Sequence, residues 1–321
     1  MGKYKVVITD YVYEHIELER KEIARLDAVL SDHQCGTEDE VIDAARDADA
    51  VIVQFAPVTR RVIESLERCR VIVRYAIGVD NIDVAAATER GIIVCNVPDY
   101  GVDEVSNHAV LLLLACSRKL VQAAAGTRRG VWDYTVAKPV YRLAGQTLGL
   151  IGLGRIPSLV AAKTAGFGLN VIAYDPYADP ERARRLGVKR VDFETLLKTS
   201  DLVSVHCPLN DSTRHLFGFE QFRMMKKTAF FVNTARGGVV AEPDLIRALR
   251  EGEIAGAAVD VAEKEPMAPD NPLLGMDNVI VTPHLAWYSV EAIASLQLKV
   301  AEEVVRVLSG KAPLNPVNAT K

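Results

Sequence analysis

The stretch Thr147-Leu-Gly-Leu-Ile-Gly-Leu-Gly-Arg-Ile156 constrains this chain more than any other. Its apolar run, Leu148 to Ile151, reads as a buried parallel strand. Gly152-Leu-Gly154 ends the strand, and a small-residue helical stretch follows from Leu159 to Ala165. A strand passing through glycines into a helix start sets unpaired N–H groups and the positive end of a helix dipole over the turn. That is an anion site suited to a pyrophosphate. The next strand, Asn170 to Tyr174, ends in Asp175, 23 residues after Gly152. A carboxylate there is placed to accept hydrogen bonds from an adenosine ribose and to repel a 2′-phosphate, so NAD is expected over NADP. The G-x-G-x-x-G pattern breaks at its last position, where Pro157 stands. First-turn N–H groups have no intrahelical partner, so a helix can start through a proline. Pro157 is nevertheless where cofactor geometry is expected to depart from the common pattern.

Around this unit, strand and helix patterns alternate. Lys3 to Thr9 reads as an opening strand and Glu17 to Leu30 as a charged helical stretch. Thr37-Glu-Asp-Glu40 resembles a capping box. Strands are expected at Ala50–Val53, Val71–Arg74 and Gly91–Val94, with helices around Arg60–Glu67 and Val84–Arg90. Such alternation implies a parallel sheet with right-handed crossovers. One long apolar helix is expected from Asp103 to Ala125, connecting domains, forming a subunit interface, or both. Residues 127–142 carry Trp132, Tyr134 and Tyr141 and read as an aromatic arm, packed on a partner subunit or on its own domain. Further strands are expected at Asp201–His206, Ala229–Asn233, Gly256–Asp260 and Asn278–Thr282, and helices at Pro180–Leu186, Glu242–Arg250 and Val290–Leu308. The fold class is α/β, with two doubly wound parallel-sheet domains. A dinucleotide domain at 103–289 is inserted into a discontinuous domain formed by 1–102 and 290–321.

At 321 residues there is room for two substantial cores. A net charge of −4 argues against a nucleic-acid or anionic-membrane surface. Cys35, Cys69, Cys95, Cys116 and Cys207 are scattered with no C-x-x-C, so no metal site is expected and a reducing compartment fits better than a disulfide framework. The opening residues run straight into a strand, leaving no room for a signal peptide, and the longest apolar stretch, Ala109 to Cys116, is far too short to span a bilayer. A cytoplasmic protein is expected.

Three polar residues stand just past strands of the inserted domain: Arg236 in Asn233-Thr-Ala-Arg-Gly-Gly238, Glu265 before Pro266, and His284 in Thr282-Pro-His284. Loops at the carboxyl ends of parallel strands form the crevice where ligands bind, so these side chains are placed to converge there. With Arg74-Tyr-Ala-Ile-Gly-Val-Asp-Asn-Ile-Asp83, Asn96-Val-Pro-Asp-Tyr-Gly101, Glu104 to His108 and Val205-His-Cys-Pro-Leu209, these motifs resemble, in order and over nearly the whole chain, the D-isomer-specific 2-hydroxyacid dehydrogenases. The resemblance implies a Rossmann NAD-binding domain inserted in a flavodoxin-like substrate domain, a hinged cleft, and a homodimer built on the long helix. It implies cofactor contacts from Gly152, Gly154, Arg155, Ile156, Asp175, His206, Cys207, Pro208, Thr213, Thr234, Ala235, Asp260 and Ala286. It implies substrate contacts from the Ala76-Ile77-Gly78 turn, Arg236 and Trp287.

The chemistry follows from the residue types. Hydride arriving at C2 of a 2-oxo acid leaves negative charge developing on the carbonyl oxygen, which His284 as general acid would protonate. A hydrogen-bonded carboxylate, Glu265, favours the charged imidazole. Arg236 offers a planar fork for a carboxylate. Asp260 is expected either to hold the nicotinamide amide or to cap a loop, and His108 to pack its helix or bond across an interface. At 321 residues no appended regulatory domain is expected, and a long phosphoglycerate dehydrogenase is not the expected reading. Trp287-Tyr288 after His284 is similar to the D-lactate-type enzymes and to the C-terminal-binding corepressors, and the pair is expected either to wall the substrate pocket or to pack between domains. The expected function is an NAD-dependent 2-oxo acid reductase; the alternative is an NAD(H)-sensing dimeric scaffold with little turnover.

Overall fold

The computed structural model describes residues 3–319. In chain order its first elements are β1 (Tyr4–Ile8), α1 (Glu17–Ile23), β2 (Ala28–Asp32), α2 (Glu38–Ala45), β3 (Ala50–Val53), α3 (Arg60–Ser65), β4 (Val71–Arg74), α4 (Val84–Glu89) and β5 (Ile93–Cys95). There follow α5 (Val102–Ser117), α6 (Leu120–Arg128), β6 (Thr147–Ile151), α7 (Arg155–Thr164), β7 (Asn170–Tyr174), α8 (Pro180–Arg185), β8 (Lys189–Arg190), α9 (Phe193–Thr199) and β9 (Leu202–Val205). The last are α10 (Phe219–Met224), β10 (Phe230–Asn233), α11 (Glu242–Glu251), β11 (Gly256–Val259), β12 (Val279–Val281) and α12 (Val290–Leu308). The chain divides into two compact units, Met1–Gly101 with Ser289–Lys321, and Val102–Tyr288.

The first unit holds a five-stranded sheet in the order β2-β1-β3-β4-β5, every pair parallel. Both faces are covered, so β3 is buried along its whole length and reads as the continuous apolar run Ala-Val-Ile-Val. The expected capping box is present: Thr37 accepts from the Glu40 N–H while the Glu40 carboxylate accepts from the Thr37 N–H. Helix α12 packs against α1, and the buried Gln297 amide donates to the His15 carbonyl and to buried Glu19. Beyond α12, the Val317 N–H donates to Val94 O and the Leu314 N–H to buried Glu303, which fastens the tail to β5 and to α12.

The second unit holds seven parallel strands in the order β12-β11-β10-β9-β6-β7-β8. The order reverses direction at β6, where the next strand in sequence lies on one side and β9 on the other. This is the switch point at which an open sheet leaves a crevice. One core face is aromatic, with Phe217, Phe222 and Phe231 rings 4.8–5.8 Å apart.

Several elements differ from the sequence reading. The expected helix over 103–125 is two helices bent by 64°, with Lys119 left-handed at φ 49°. Helix α5 buries Ala109, Leu112, Leu113 and Cys116 in the core, whereas α6 buries only Gly126. No glycine or proline marks the break. The buried face of α5 ends at Ser117, while Leu120 and Val121 at the start of α6 are exposed. The Glu17–Leu30 helix stops at Ile23, because Ala28–Asp32 pairs with β1 as an edge strand. Strand β8, two exposed residues, and the short α10 carry too little periodicity to register. Strand β5 begins two residues later than Gly91, which instead adopts φ 71° in the turn. No helix among the described residues is by itself long and apolar enough to cross a membrane.

Candidate active site

At the switch point, Gly152 takes φ 92°, and a Cβ there would meet the His206 carbonyl at 3.2 Å. Only glycine fits without displacing that strand end. Gly154 is the N-cap of α7 and has open space where a side chain would stand. Pro157 is the third helical residue, buried, and the helix runs through it undistorted, with the Ser158 N–H already bonded to Gly154 O. Proline removes one N–H from the helix start. Another, that of Leu153, is taken by Asp175 Oδ2 at 2.8 Å, while Asp175 Oδ1 accepts from the Tyr177 N–H at 2.8 Å. Asp175 thus ties the glycine turn to the end of β7, and each oxygen keeps a lone pair for a further donor. Arg182 donates to Leu153 O and Arg190 to Asp175 O, so both guanidinium groups border this turn. Open space over Gly154 at a helix N-terminus fits a dinucleotide pyrophosphate.

His206 follows β9, half-buried, with Nε2 2.9 Å from Ser204 Oγ. Loss of solvent pushes its imidazole down to about 3, and burial pushes the Cys207 thiol up to about 11. Cys207 is therefore a neutral thiol without nucleophilic character. Because the folded-state value for His206 lies below that of an unfolded histidine, roughly 6.5, its contribution to stability is present above that pH and is lost as pH falls toward 3. Thermal melts at pH 7 and pH 5 are expected to show a smaller loss of Tm for His206→Gln than for the parent protein. Pro208 and Thr213 lie in the following loop, where the Thr213 hydroxyl donates to Pro208 O at 2.6 Å.

The loops after β10, β11 and β12 bring Arg236, Glu265 and His284 together. Buried Asn233 fixes the first loop: its Oδ1 accepts from the Ala235 N–H at 3.0 Å and its Nδ2 donates to Arg236 O at 2.9 Å. Buried Thr234 and half-buried Ala235 stand between. Arg236 Nη1 donates to Ala235 O at 2.7 Å. Gly237 lies so close to the second loop that a Cβ would fall 1.8 Å from Ala262 O. In that second loop Glu265 Oε1 accepts from the Ala262 N–H at 3.0 Å, and Oε2 lies 2.6 Å from His284 Nδ1. Burial raises the Glu265 carboxyl. The hydrogen bond and charge of His284, the Ala262 N–H and the charge of Arg236 outweigh it and hold the group below the ordinary carboxylate range. With Nδ1 given to the carboxylate, Nε2 of His284 is the nitrogen left for a substrate.

Asp260, 1% exposed, closes β11 and organises the third loop. Its Oδ1 accepts from Thr282 Oγ1 at 2.6 Å and from the Leu285 N–H at 3.0 Å, and its Oδ2 from the Ala286 N–H at 2.9 Å. Of the two roles open to Asp260, the loop cap is occupied here. Trp287 stands edge-on to Tyr288, with ring centroids 6.0 Å apart. His108 reaches this loop rather than only packing its helix, with Nε2 3.1 Å from Thr282 Oγ1. Side-chain bonds from Asn233 and Thr282 were not foreseen from sequence, and neither was the partner of His108. Their only signal was proximity in sequence to Arg236 and His284, or none at all for His108, 174 residues from its partner.

In the first unit, the Ala76-Ile77-Gly78 turn follows β4. Its three carbonyls accept from the Val97 N–H, Asn96 Nδ2 and Arg74 Nη1 respectively. In a trans peptide the next N–H points opposite to its carbonyl. The Ile77 and Gly78 N–H groups therefore face away from residues 96–97, and no acceptor among the described residues takes them.

A family model described as the NAD binding domain of the D-isomer specific 2-hydroxyacid dehydrogenases matches residues 110–286. The chain is 43% identical to the D-3-phosphoglycerate dehydrogenase of Methanocaldococcus jannaschii over 98% of its own length and 59% of that protein. It is 39% identical to the glyoxylate reductase of Korarchaeum cryptofilum over 96% of its length and 91% of that protein. The chain belongs to the D-isomer-specific 2-hydroxyacid dehydrogenase family. A glyoxylate reductase structure from Paecilomyes thermophila superposes with a TM-score of 0.90 at 28% identity, covering 99% of each chain. The family's parallel-sheet α/β architecture is thus present in both units. The chain spans 59% and 54% of the first two phosphoglycerate dehydrogenases it matches.

Proposed function

We propose that this 2-hydroxyacid dehydrogenase family member is an NAD-dependent reductase of small 2-oxo acids, reversibly forming the D-2-hydroxy acid. The observation that carries the reading is the His284–Glu265 pair at 2.6 Å, with the Arg236 charge acting on the same carboxylate. Bound NADH supplies a hydride to the carbonyl carbon. His284 then gives the Nε2 proton to the carbonyl oxygen, so that the ketone gains one hydride and one proton. Glu265 holds the ring by Nδ1, which leaves Nε2 to carry the transferred proton; in the reverse direction neutral His284 takes the hydroxyl proton. Arg236 orients the substrate and polarises its ketone. The paired N–H groups of Ile77 and Gly78 suit the substrate carboxylate, and Trp287 bounds its side chain. Gly152, Gly154, Arg155 and Ile156 are assigned to the pyrophosphate, Asp175 to the ribose, and His206 to Pro208 with Thr213 to the adenosine side. Thr234, Ala235, Asp260 and Ala286 are assigned to the nicotinamide end.

Mixing the purified protein with NADH and glyoxylate, hydroxypyruvate or pyruvate, and following NADH loss, tests the proposal. Saturable oxidation with one acid supports it; tight NADH binding without turnover across the panel counts against it. The relatives named above are called dehydrogenase or reductase, and nothing in them favours the scaffold alternative. For the cofactor, Asp175→Ala is expected to weaken NADH at least about tenfold and to raise the NADPH-to-NADH ratio of kcat/KM. Because Asp175 also anchors the Leu153 N–H, some loss with NADPH is expected too. An unchanged ratio removes Asp175 from ribose recognition. We further propose a homodimer covering α6 and the arm after it, where Trp132 is 90% and Tyr134 78% exposed. Sedimentation at the monomer mass counts against it. A cytoplasmic location is proposed on the five unpaired cysteines.

A further inference from the structure

We propose that His108, on α5, is a positioning residue for His284, acting through Thr282 and Asp260. The inference rests on the reading of His284 as the general acid. Thr282 has one hydroxyl proton and two neighbours, Asp260 Oδ1 at 2.6 Å and His108 Nε2 at 3.1 Å. A carboxylate can only accept, so the hydroxyl proton goes to Asp260, and His108 Nε2 carries the hydrogen that donates to the Thr282 oxygen. The chain of donation therefore runs one way, from His108 to Thr282 to Asp260.

Asp260 in turn holds His284 from both sides. Its backbone carbonyl accepts the His284 N–H at 2.7 Å, and its carboxylate accepts the N–H groups of Leu285 and Ala286, the two residues that follow. Between these anchors His284 adopts φ 50°, a left-handed conformation that a non-glycine residue keeps only where its surroundings impose it. The buried carboxylate depends on its full set of donors, because a lost donor leaves it incompletely satisfied in a low-dielectric site. His108 supplies the far end of that set from a helix whose next turns, Ala109, Leu112 and Leu113, lie in the core. Its Nε2 is also 3.7 Å from Asp260 Oδ1, so the ring adds a weak direct contact. The fold thereby sets the aim of the proton donor from a rigid helix rather than from the loop alone.

A general acid displaced by about 1 Å can cost ~100-fold in rate. His108→Leu is expected to lower the single-turnover rate of NADH oxidation at least about tenfold, with the NADH Kd held within about twofold. His108→Gln, which keeps an N–H donor, is expected to restore most of that loss. Thr282→Val removes the hydroxyl and is expected to match His108→Leu, and the double variant to be no slower than the slower single one. Melting curves identify any variant that fails to fold, and Thr282→Val then decides alone. Rates within about twofold of the parent, a Gln variant as slow as Leu, additive losses, or a fall in NADH affinity equal to the fall in rate each overturn the proposal. If the parent protein itself turns over none of the 2-oxo acids offered, the underlying reading is overturned instead, and the parent's own inactivity distinguishes that case.

Discussion

Replacing His284 by alanine is expected to lower kcat for 2-oxo acid reduction by about 10²–10⁴-fold while leaving NADH affinity within about threefold. The proton donor is lost, but the glycine turn and Asp175, which are assigned to the dinucleotide, do not touch it. The loss is asymmetric in another respect. Glu265 would lose the hydrogen bond and charge that, with Ala262 and Arg236, offset the burial that raises its carboxyl. Its carboxyl is then expected to rise, and with it the chance that a neutral acid occupies the site. Stopped-flow measurement of NADH loss separates the two effects, because binding is read before chemistry. A variant that keeps most of the parent's turnover would remove His284 from the mechanism. A variant that loses NADH binding in proportion to turnover would make the residue a cofactor contact instead.

Gly237→Ala should be severely damaging. Its Cβ would stand 1.8 Å from the Ala262 carbonyl oxygen and 2.0 Å from its carbon, both backbone atoms that no rotamer can move aside. The loops bearing Arg236 and Glu265 must separate to admit it. Overpacking of this kind costs about 1–3 kcal/mol or more, which for a unit of this size lowers Tm by several degrees. The larger effect is on turnover, because Ala262 is also the residue whose N–H orients Glu265. At least about a hundredfold loss of kcat is expected. Gly154→Ala is the matched control: a Cβ there meets nothing within 4 Å, so stability should be spared and any loss confined to the cofactor. A Gly237→Ala protein with the parent's melting temperature and turnover would show that the two loops are free to part.

Much of this was legible in the sequence because it depends on local patterns. A buried parallel strand must be apolar throughout, a glycine must stand where φ is positive and the backbone close, and a capping threonine with glutamate three residues on announces its helix. The alternation of these signals gives the α/β class and the inserted order of the chain. Arg236, Glu265 and His284 were visible for the same reason: each follows a strand, and parallel strands put their following loops at one edge. What the sequence left open was settled by contacts between distant segments. The break at Lys119 has no local breaker and arises where the core stops. Strand β2 exists because β1 offers it an edge, overriding a helix-like pattern. That Thr282, Leu285 and Ala286 all meet on the Asp260 carboxylate could not be read from spacing. His108 was open to packing or to a bond across an interface, and its actual partner, Thr282, stands 174 positions away. Residue type and spacing determined which groups this protein carries and at which edge of the sheet they lie. Tertiary packing alone decided which donor faces which acceptor, since a hydrogen bond depends on distance and direction that periodicity does not encode.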